Sequence, residues 1–144
     1  MKKVIGVLLI GAGLMLSACS TTCPFCSKPG KEPKRYEWVT GLKPEKAAYY
    51  KDLHAHPWPA INKMIKESHI QNYTICVKEI EGKLYLFSYL EYTGDNWDAD
   101  MAKMAADPET KRWWKETDPC QAPLPEAAAK GHIWSDAEEV YHLK

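Results

Sequence analysis

Two runs of β-forming residues separated by a two-residue turn constrain this chain more than anything else in it. Tyr73-Thr-Ile-Cys-Val-Lys-Glu-Ile80 puts Tyr73, Ile75 and Val77 on one face of a strand, because successive side chains in a strand point to opposite sides. Lys83-Leu-Tyr-Leu-Phe-Ser-Tyr-Leu-Glu-Tyr92 is a second, stronger strand, and Glu81-Gly82 between them has the length of a tight hairpin turn. A hairpin alone is marginally stable in water. The flanking segments must therefore widen the sheet and cover it.

Upstream, Arg35-Tyr-Glu-Trp-Val-Thr-Gly-Leu42 alternates and reads as another strand. Pro44 sits where a helix tolerates proline, in the first turn, and the helix it opens runs through Tyr50 and His54 to a break at Pro57. Pro59 pre-sets the first turn of a second helical piece, from Trp58 to Ser68, with Ile61, Met64 and Ile65 on one face. His69-Ile-Gln-Asn72 reads as a turn. Beyond the hairpin, Asp95 or Asn96 can cap a helix whose apolar stripe is Trp97, Met101, Met104 and Ala105. Asp107-Pro108 caps a short helix from Glu109 to Lys115. Residues 118–131 are a proline-rich loop with room for one helical turn, and Glu138 to Leu143 reads as a closing strand. The order β-α-β-β-α-β is the split βαβ pattern of ferredoxin-like α+β sandwiches. Helices on one face leave the other face of the sheet open. The expected solution is a homodimer packed sheet to sheet, the dimeric α/β-barrel arrangement.

Residues 1–19 have the pattern of a bacterial lipoprotein signal. Lys2 and Lys3 form a charged start, Val4 to Leu16 is an apolar run, and Leu16-Ser-Ala-Cys19 resembles a lipobox ending at the cysteine that becomes acylated. The apolar run is short for a transmembrane helix. Residues 20–34 then read as a tether, with Pro24, Pro29, Pro33 and Gly30 and no apolar period. The domain expected to fold is 35–144. Two or three acyl chains would hold it to a membrane surface. The expected location is the cell envelope, on the non-cytoplasmic side, and Ser20 after the cysteine favours the outer membrane of a two-membrane host by resemblance to sorting rules. Cys23-Pro-Phe-Cys26 lies in the tether, away from any strand-to-helix junction that would make it a redox pair and without two further zinc ligands at partner spacing. A local disulfide or two idle thiols is the reading that remains.

The formal net charge is zero, and removing Lys2 and Lys3 leaves a slight acidic excess, so nothing in the charge balance points to nucleic acid. Six Trp and eight Tyr against two Phe is a skewed aromatic set. Rings with a polar handle suit a wet, sugar-like pocket or an interface, and they also suit a tyrosine-rich core.

The chemistry concentrates in Ala48-Tyr-Tyr-Lys-Asp-Leu-His-Ala-His-Pro-Trp-Pro59. Tyr50 and His54 are four residues apart on a helix and share a face. Taken alone, they read as surface or satisfied core residues more readily than as a site. Trp113-Trp114 taken alone fits a core or an interface, and Tyr73 an ordinary strand position. His56 lies at the kink and His69 in a turn, and both read as structural. His132 and His142 have no chemical company. Glu138-Glu139 and Glu79 with Glu81 read as solvated faces rather than a glycosidase pair. No Gly-rich phosphate loop, G-x-S-x-G elbow or H-E-x-x-H is present.

Taken in order, Tyr50-x-x-x-His54, Pro57-Trp58-Pro59, Asn72-Tyr73, Arg112-Trp113-Trp114-Lys115 and Glu139-Val-Tyr-His-Leu143 resemble the L-rhamnose mutarotase family, from about Tyr36 to Leu143. The resemblance implies a dimer of ferredoxin-like subunits without a metal or other cofactor. It implies His54 as the proton donor, with Tyr50, Tyr73, Trp113 and Trp114 contacting an aldose. Most members of the family lack a lipoprotein signal. Adjacent helical residues point about 100° apart, so one of the two tryptophans is expected to stack on sugar while the other packs. Two rival readings use the same scaffold: a sugar-binding lipoprotein without catalysis, and a different small enzyme of the dimeric α/β-barrel class.

Overall fold

A computed structural model of the chain describes residues 31–144. The signal-like segment, Cys19 and nearly all of the tether, including Cys23 and Cys26, lie outside the described residues. No helix among the described residues is long and apolar enough to cross a membrane.

The hairpin forms as its sequence dictates. Strands β2 (Ile70–Ile80) and β3 (Lys83–Tyr92) pair antiparallel across a turn in which Glu81 and Gly82 both have positive φ, 50° and 73°. Two left-handed central residues make the turn whose twist matches that of the strands. β1 (Lys34–Leu42) pairs along the whole other edge of β3, from Lys34 opposite Tyr92 to Leu42 opposite Leu84. β3 is thus central, and its inward residues Leu86, Ser88, Leu90 and Tyr92 are buried in alternation.

Each crossover is a broken helix. Pro44 opens a short 3-10 turn that leads into α1 (Ala47–Ala55), and α2 (Pro59–Glu67) begins at a proline after an extended Trp58. The second crossover is α3 (Trp97–Ala106), capped by Asn96 onto the Ala99 amide, and α4 (Pro108–Thr117), capped by Asp107 onto the Thr110 amide at 2.7 Å. All lie on the side of the sheet to which β3 turns its buried residues. One core joins Leu42, Ala47, Tyr50, Leu86 and Cys120. The other joins Ile70, Leu90 and Tyr92 with Trp97 and Met101 of α3.

The structure departs from the sequence reading at two ends. The turn expected at His69–Asn72 shrinks to Ser68-His69, where His69 closes α2 with φ 57°, and β2 starts at Ile70. One left-handed residue suffices to end the helix, which frees Ile70 and Gln71 for pairing. The closing strand expected at Glu138–Leu143 does not form. The outer edge of β1 is shared instead by two short pieces, β4 (Gln121–Ala122) at Gly41 and Leu42, and β5 (Ser135–Asp136) at Trp38 and Val39. The four-residue helix α5 (Pro125–Ala128) fills the loop between them. A strand-like segment becomes a strand only against a ladder it can join. Ala137 still donates to the Glu37 carbonyl at 2.9 Å, and Glu139 pairs with Arg35, but Val140, Tyr141 and Leu143 find no cover and stand exposed. The resulting order, β2-β3-β1-β4 with β5 also on β1, is the antiparallel ferredoxin-like sheet with its last strand divided.

Gly41 makes the β4 contact possible: a Cβ there would lie 2.6 Å from the Ala122 carbonyl oxygen. Backbone cannot swing aside as a side chain can. Gly41→Ala is expected to destabilise the domain by about 1–3 kcal/mol, read from the midpoint of urea unfolding.

Candidate active site

The break between α1 and α2 opens a cavity of about 400 Å³ over the β2 side of the sheet, within the roughly 300–1,000 Å³ range of small-molecule sites. Its wall is Tyr50, His54 and Trp113, its rim includes Lys51 and Pro57, and its apolar side carries Ile61, Ile65, Ile75, Val77 and Leu86. Tyr73 and Asn62 complete the lining. The structure therefore brings Tyr50, His54, Tyr73 and Trp113 together from α1, β2 and α4. Trp114, one residue on, does not line the cavity, as the 100° step along a helix requires.

His54 occupies the last turn of α1, where its Nδ1 lies 2.9 Å from the Tyr50 carbonyl oxygen one turn back. A carbonyl only accepts, so Nδ1 is the donor and the neutral ring carries its lone pair on Nε2. The Tyr50 ring stacks on the imidazole with centroids 4.1 Å apart and planes 28° apart. Trp113 meets the same imidazole edge-on at 5.3 Å, and Trp58 meets Trp113 edge-on at 5.3 Å in turn. The Arg112 guanidinium lies over Trp58, 5.1 Å from the ring centre, and is paired with Glu109 at 2.8 Å. The proline break thus ends in a row of rings that fixes the imidazole plane.

Electrostatics separate the titrating groups. Tyr50 is 4% exposed, and burial, helped by the neighbouring Tyr73 phenol, holds its hydroxyl far above the usual tyrosine range. Burial also raises the Tyr73 hydroxyl. Tyr73 is 42% exposed as a whole residue, so the open part is the ring and the hydroxyl is the enclosed end. Both phenols stay protonated near neutral pH. Burial moves His54 the other way, below the ordinary histidine value of 6.5, with the Tyr50 carbonyl opposing the shift. No carboxylate lines the cavity, and no group of three His, Cys, Asp or Glu able to hold a metal occurs among the described residues.

Lys51 and Asn62 were not singled out by sequence, since a polar residue on a helix looks like solvated surface until its neighbours are placed. Ile75 and Val77 carried a usable signal, the strand face they share with Tyr73. His56 and His69 lie outside the cavity; His69 pairs with Asp100 at 2.8 Å. Cys76 is exposed, Cys120 is buried, and both are free thiols.

A family model described as L-rhamnose mutarotase matches residues 35–143. The chain belongs to the L-rhamnose mutarotase family. Members are carbohydrate isomerases that interconvert anomers. The L-rhamnose mutarotase of Mesorhizobium japonicum is 29% identical over 87 residues, 58% of this chain and 75% of that protein. The crystal structure of the L-rhamnose mutarotase of Formosa agariphila superposes with a TM-score of 0.57 at 20% identity, covering 77% of this chain and 99% of the other. That likeness shows the same ferredoxin-like fold.

A lowered histidine pKa is also a statement about stability. The folded chain resists protonating His54, while the unfolded chain protonates it at the ordinary value. The unfolded state therefore holds more protons just below pH 6.5, and stability is lost as pH falls through the folded pKa. His54→Gln is expected to be less sensitive than the native chain over that window, measured as the difference in unfolding midpoint between pH 7 and pH 5.

Proposed function

We propose that this chain is an aldose mutarotase that interconverts the α and β anomers of L-rhamnose or a related sugar, with His54 as the acid. The observation that carries the reading is the geometry of that imidazole. It is held at Nδ1 by its own helix, pressed between Tyr50 and Trp113, and placed in the wall of a sugar-sized cavity.

Anomer exchange requires the bond from the anomeric carbon to the ring oxygen to break, the carbonyl to rotate, and the bond to re-form on the other face. In opening, protonated His54 gives its Nε2 proton to the ring oxygen while the anomeric hydroxyl loses its proton to water. Closing runs the same steps backwards. Nδ1 keeps its hydrogen bond to the Tyr50 carbonyl in both protonation states, so the ring does not have to turn between them. The two phenols, protonated near neutral pH and raised further by burial, serve as hydrogen-bond partners for sugar hydroxyls rather than as bases. Trp113 offers an apolar face to the C–H groups of the sugar, and the isoleucine and valine side chains opposite suit a sugar with a deoxygenated carbon.

Two further parts of the proposal concern setting. Residues 1–19 act as a lipoprotein signal, Cys19 carries the lipid, and the domain is tethered to the non-cytoplasmic side of an envelope membrane. There it would equilibrate the single anomer that a glycosidase releases. The functional unit is a homodimer joined through the open face of the sheet. Supporting this, Phe87 is 42% exposed on that face, and Val140, Tyr141 and Leu143 stand uncovered at its margin.

Saturation-transfer NMR on L-rhamnose tests the activity directly. Exchange above the buffer rate is expected, and His54→Ala should lower it by on the order of 10²-fold with the fold intact. In the native chain, kcat/KM should fall as pH rises past an inflection below 6.5, the limb of an acid whose pKa burial has lowered. Saturable sugar binding with no exchange would instead establish a binding protein. For the dimer, Phe87→Lys is expected to halve the mass seen in sedimentation, and a native chain already monomeric at micromolar concentration would refute that part.

A further inference from the structure

Strand β2 carries a defect that decides where Tyr73 points. Ile70 pairs with Tyr92 and Gln71 with Glu91, but the next pair is Thr74 with Tyr89. Asn72 and Tyr73 together stand opposite the single residue Leu90, which makes a β-bulge. The extra residue changes the parity of the strand. Before it, even-numbered Ile70 faces the helices and is buried. After it, odd-numbered Ile75 and Val77 face them, in step with Ser88 and Leu86. Without the bulge, a strand registered on Ile70 would turn Tyr73 to the opposite face, beside Gln71.

The backbone makes this step at Asn72, whose φ is 49°. Asparagine tolerates that left-handed conformation better than most residues, but it does not favour it. Something has to hold it, and one side chain reaches across the whole defect. The Oε2 atom of Glu91 accepts from Asn72 Nδ2 at 2.8 Å and from Gln71 Nε2 at 2.9 Å, and its Oε1 accepts from the Tyr89 hydroxyl at 3.0 Å. Gln71 and Tyr89 belong to the last regular pair before the bulge and the first one after it. These donors, Gln71 foremost, hold the Glu91 carboxyl below the usual glutamate range, so it is ionised when it accepts them. None of the four residues lines the cavity.

We propose that Glu91 and Asn72 are positioning residues, a clamp on the far face of the sheet that holds the β2 bulge and thereby keeps the Tyr73 ring in the sugar cavity. The clamp acts on substrate only through Tyr73, so its effect on sugar recognition rests on the functional reading above.

The test is a double-mutant cycle on the full chain, read by anomer exchange of L-rhamnose. Glu91→Ala is expected to raise KM about fivefold with kcat little changed, the scale of one well-made hydrogen bond. In a Tyr73→Ala background, the same change should alter KM by less than about twofold, because the residue it positions is gone. Equal penalties in both backgrounds, or a native KM in Glu91→Ala, would overturn the clamp. A second readout needs no sugar. With 13C-labelled tyrosine, the Tyr73 ring signal should shift in Glu91→Ala and in Asn72→Val, whose branched side chain opposes a positive φ, and should stay near its native position in Asn72→Gly, which accepts one. A Tyr73 signal unmoved by Glu91→Ala or Asn72→Val refutes the clamp whatever the activity. A native chain without exchange but with the expected shifts would refute the mutarotase reading and leave the clamp standing. If Glu91→Ala fails to fold, Glu91→Val, which likewise removes both acceptor oxygens, gives the same comparisons with the two Asn72 variants.

Discussion

β3 is hydrogen-bonded along both edges, and the chain's cores and cavity are all built on the face it turns inward. Leu86 and Tyr92 are fixed in register by Val77 and Ile70 on one side and by β1 on the other, and Leu90, opposite the bulge, by Tyr36 of β1, so each has a set height above the sheet. Leu90 and Tyr92 seat α3, Leu86 seats α1, and Leu86 also forms part of the cavity lining. A slip of one residue would turn all of these to the opposite face at once. The left-handed pair Glu81-Gly82 at the tip is what holds the register against β2.

Upon this sheet the interrupted helix supplies the imidazole on which the proposed chemistry rests. Helix α1 stops at Ala55, so His54 lies at an end, where a side chain can border a cavity and still be held by its own helix. The imidazole is partly desolvated, with the Tyr50 ring stacked on it, and is hydrogen-bonded at Nδ1, which leaves Nε2 as the atom used by the proposed proton transfer. The phenols around it are pushed up by the same burial that pushes the imidazole down. Burial thus widens a gap that already separates an imidazole from a phenol, and in the proposed mechanism the imidazole exchanges the proton while the phenols donate and accept hydrogen bonds.

Much of this was legible in the residues. The hairpin announced itself because strand period and turn chemistry are both local. Pro57 and Pro59 marked the helix break because proline acts through its own ring and not through its surroundings. Tyr50 and His54 could be paired from spacing alone, and the step between Trp113 and Trp114 implied that they would part. What stayed hidden depended on distant partners. The polar run His69–Asn72 looks like a turn, and only the pairing of Gln71 with Glu91 reveals that Asn72 is a bulge inside a strand. Glu138–Leu143 reads as a closing strand, yet the β1 edge it would have joined is occupied by two shorter pieces. Lys51 and Asn62 carry no local mark of the cavity they border.

The division of labour between the two halves of the broken helix bears on how such a chain can change over time. The imidazole and the carbonyl that orients it belong to α1, whereas Ile61, Asn62 and Ile65 belong to α2, beyond the prolines. On the reading proposed above, substitutions in that second half would reshape the fit to one sugar or another while the imidazole keeps its anchor. On the mutarotase reading, the proton donor and part of the wall that fits the sugar are carried on separate pieces of backbone, so that part of the wall can be altered with the donor's anchor intact.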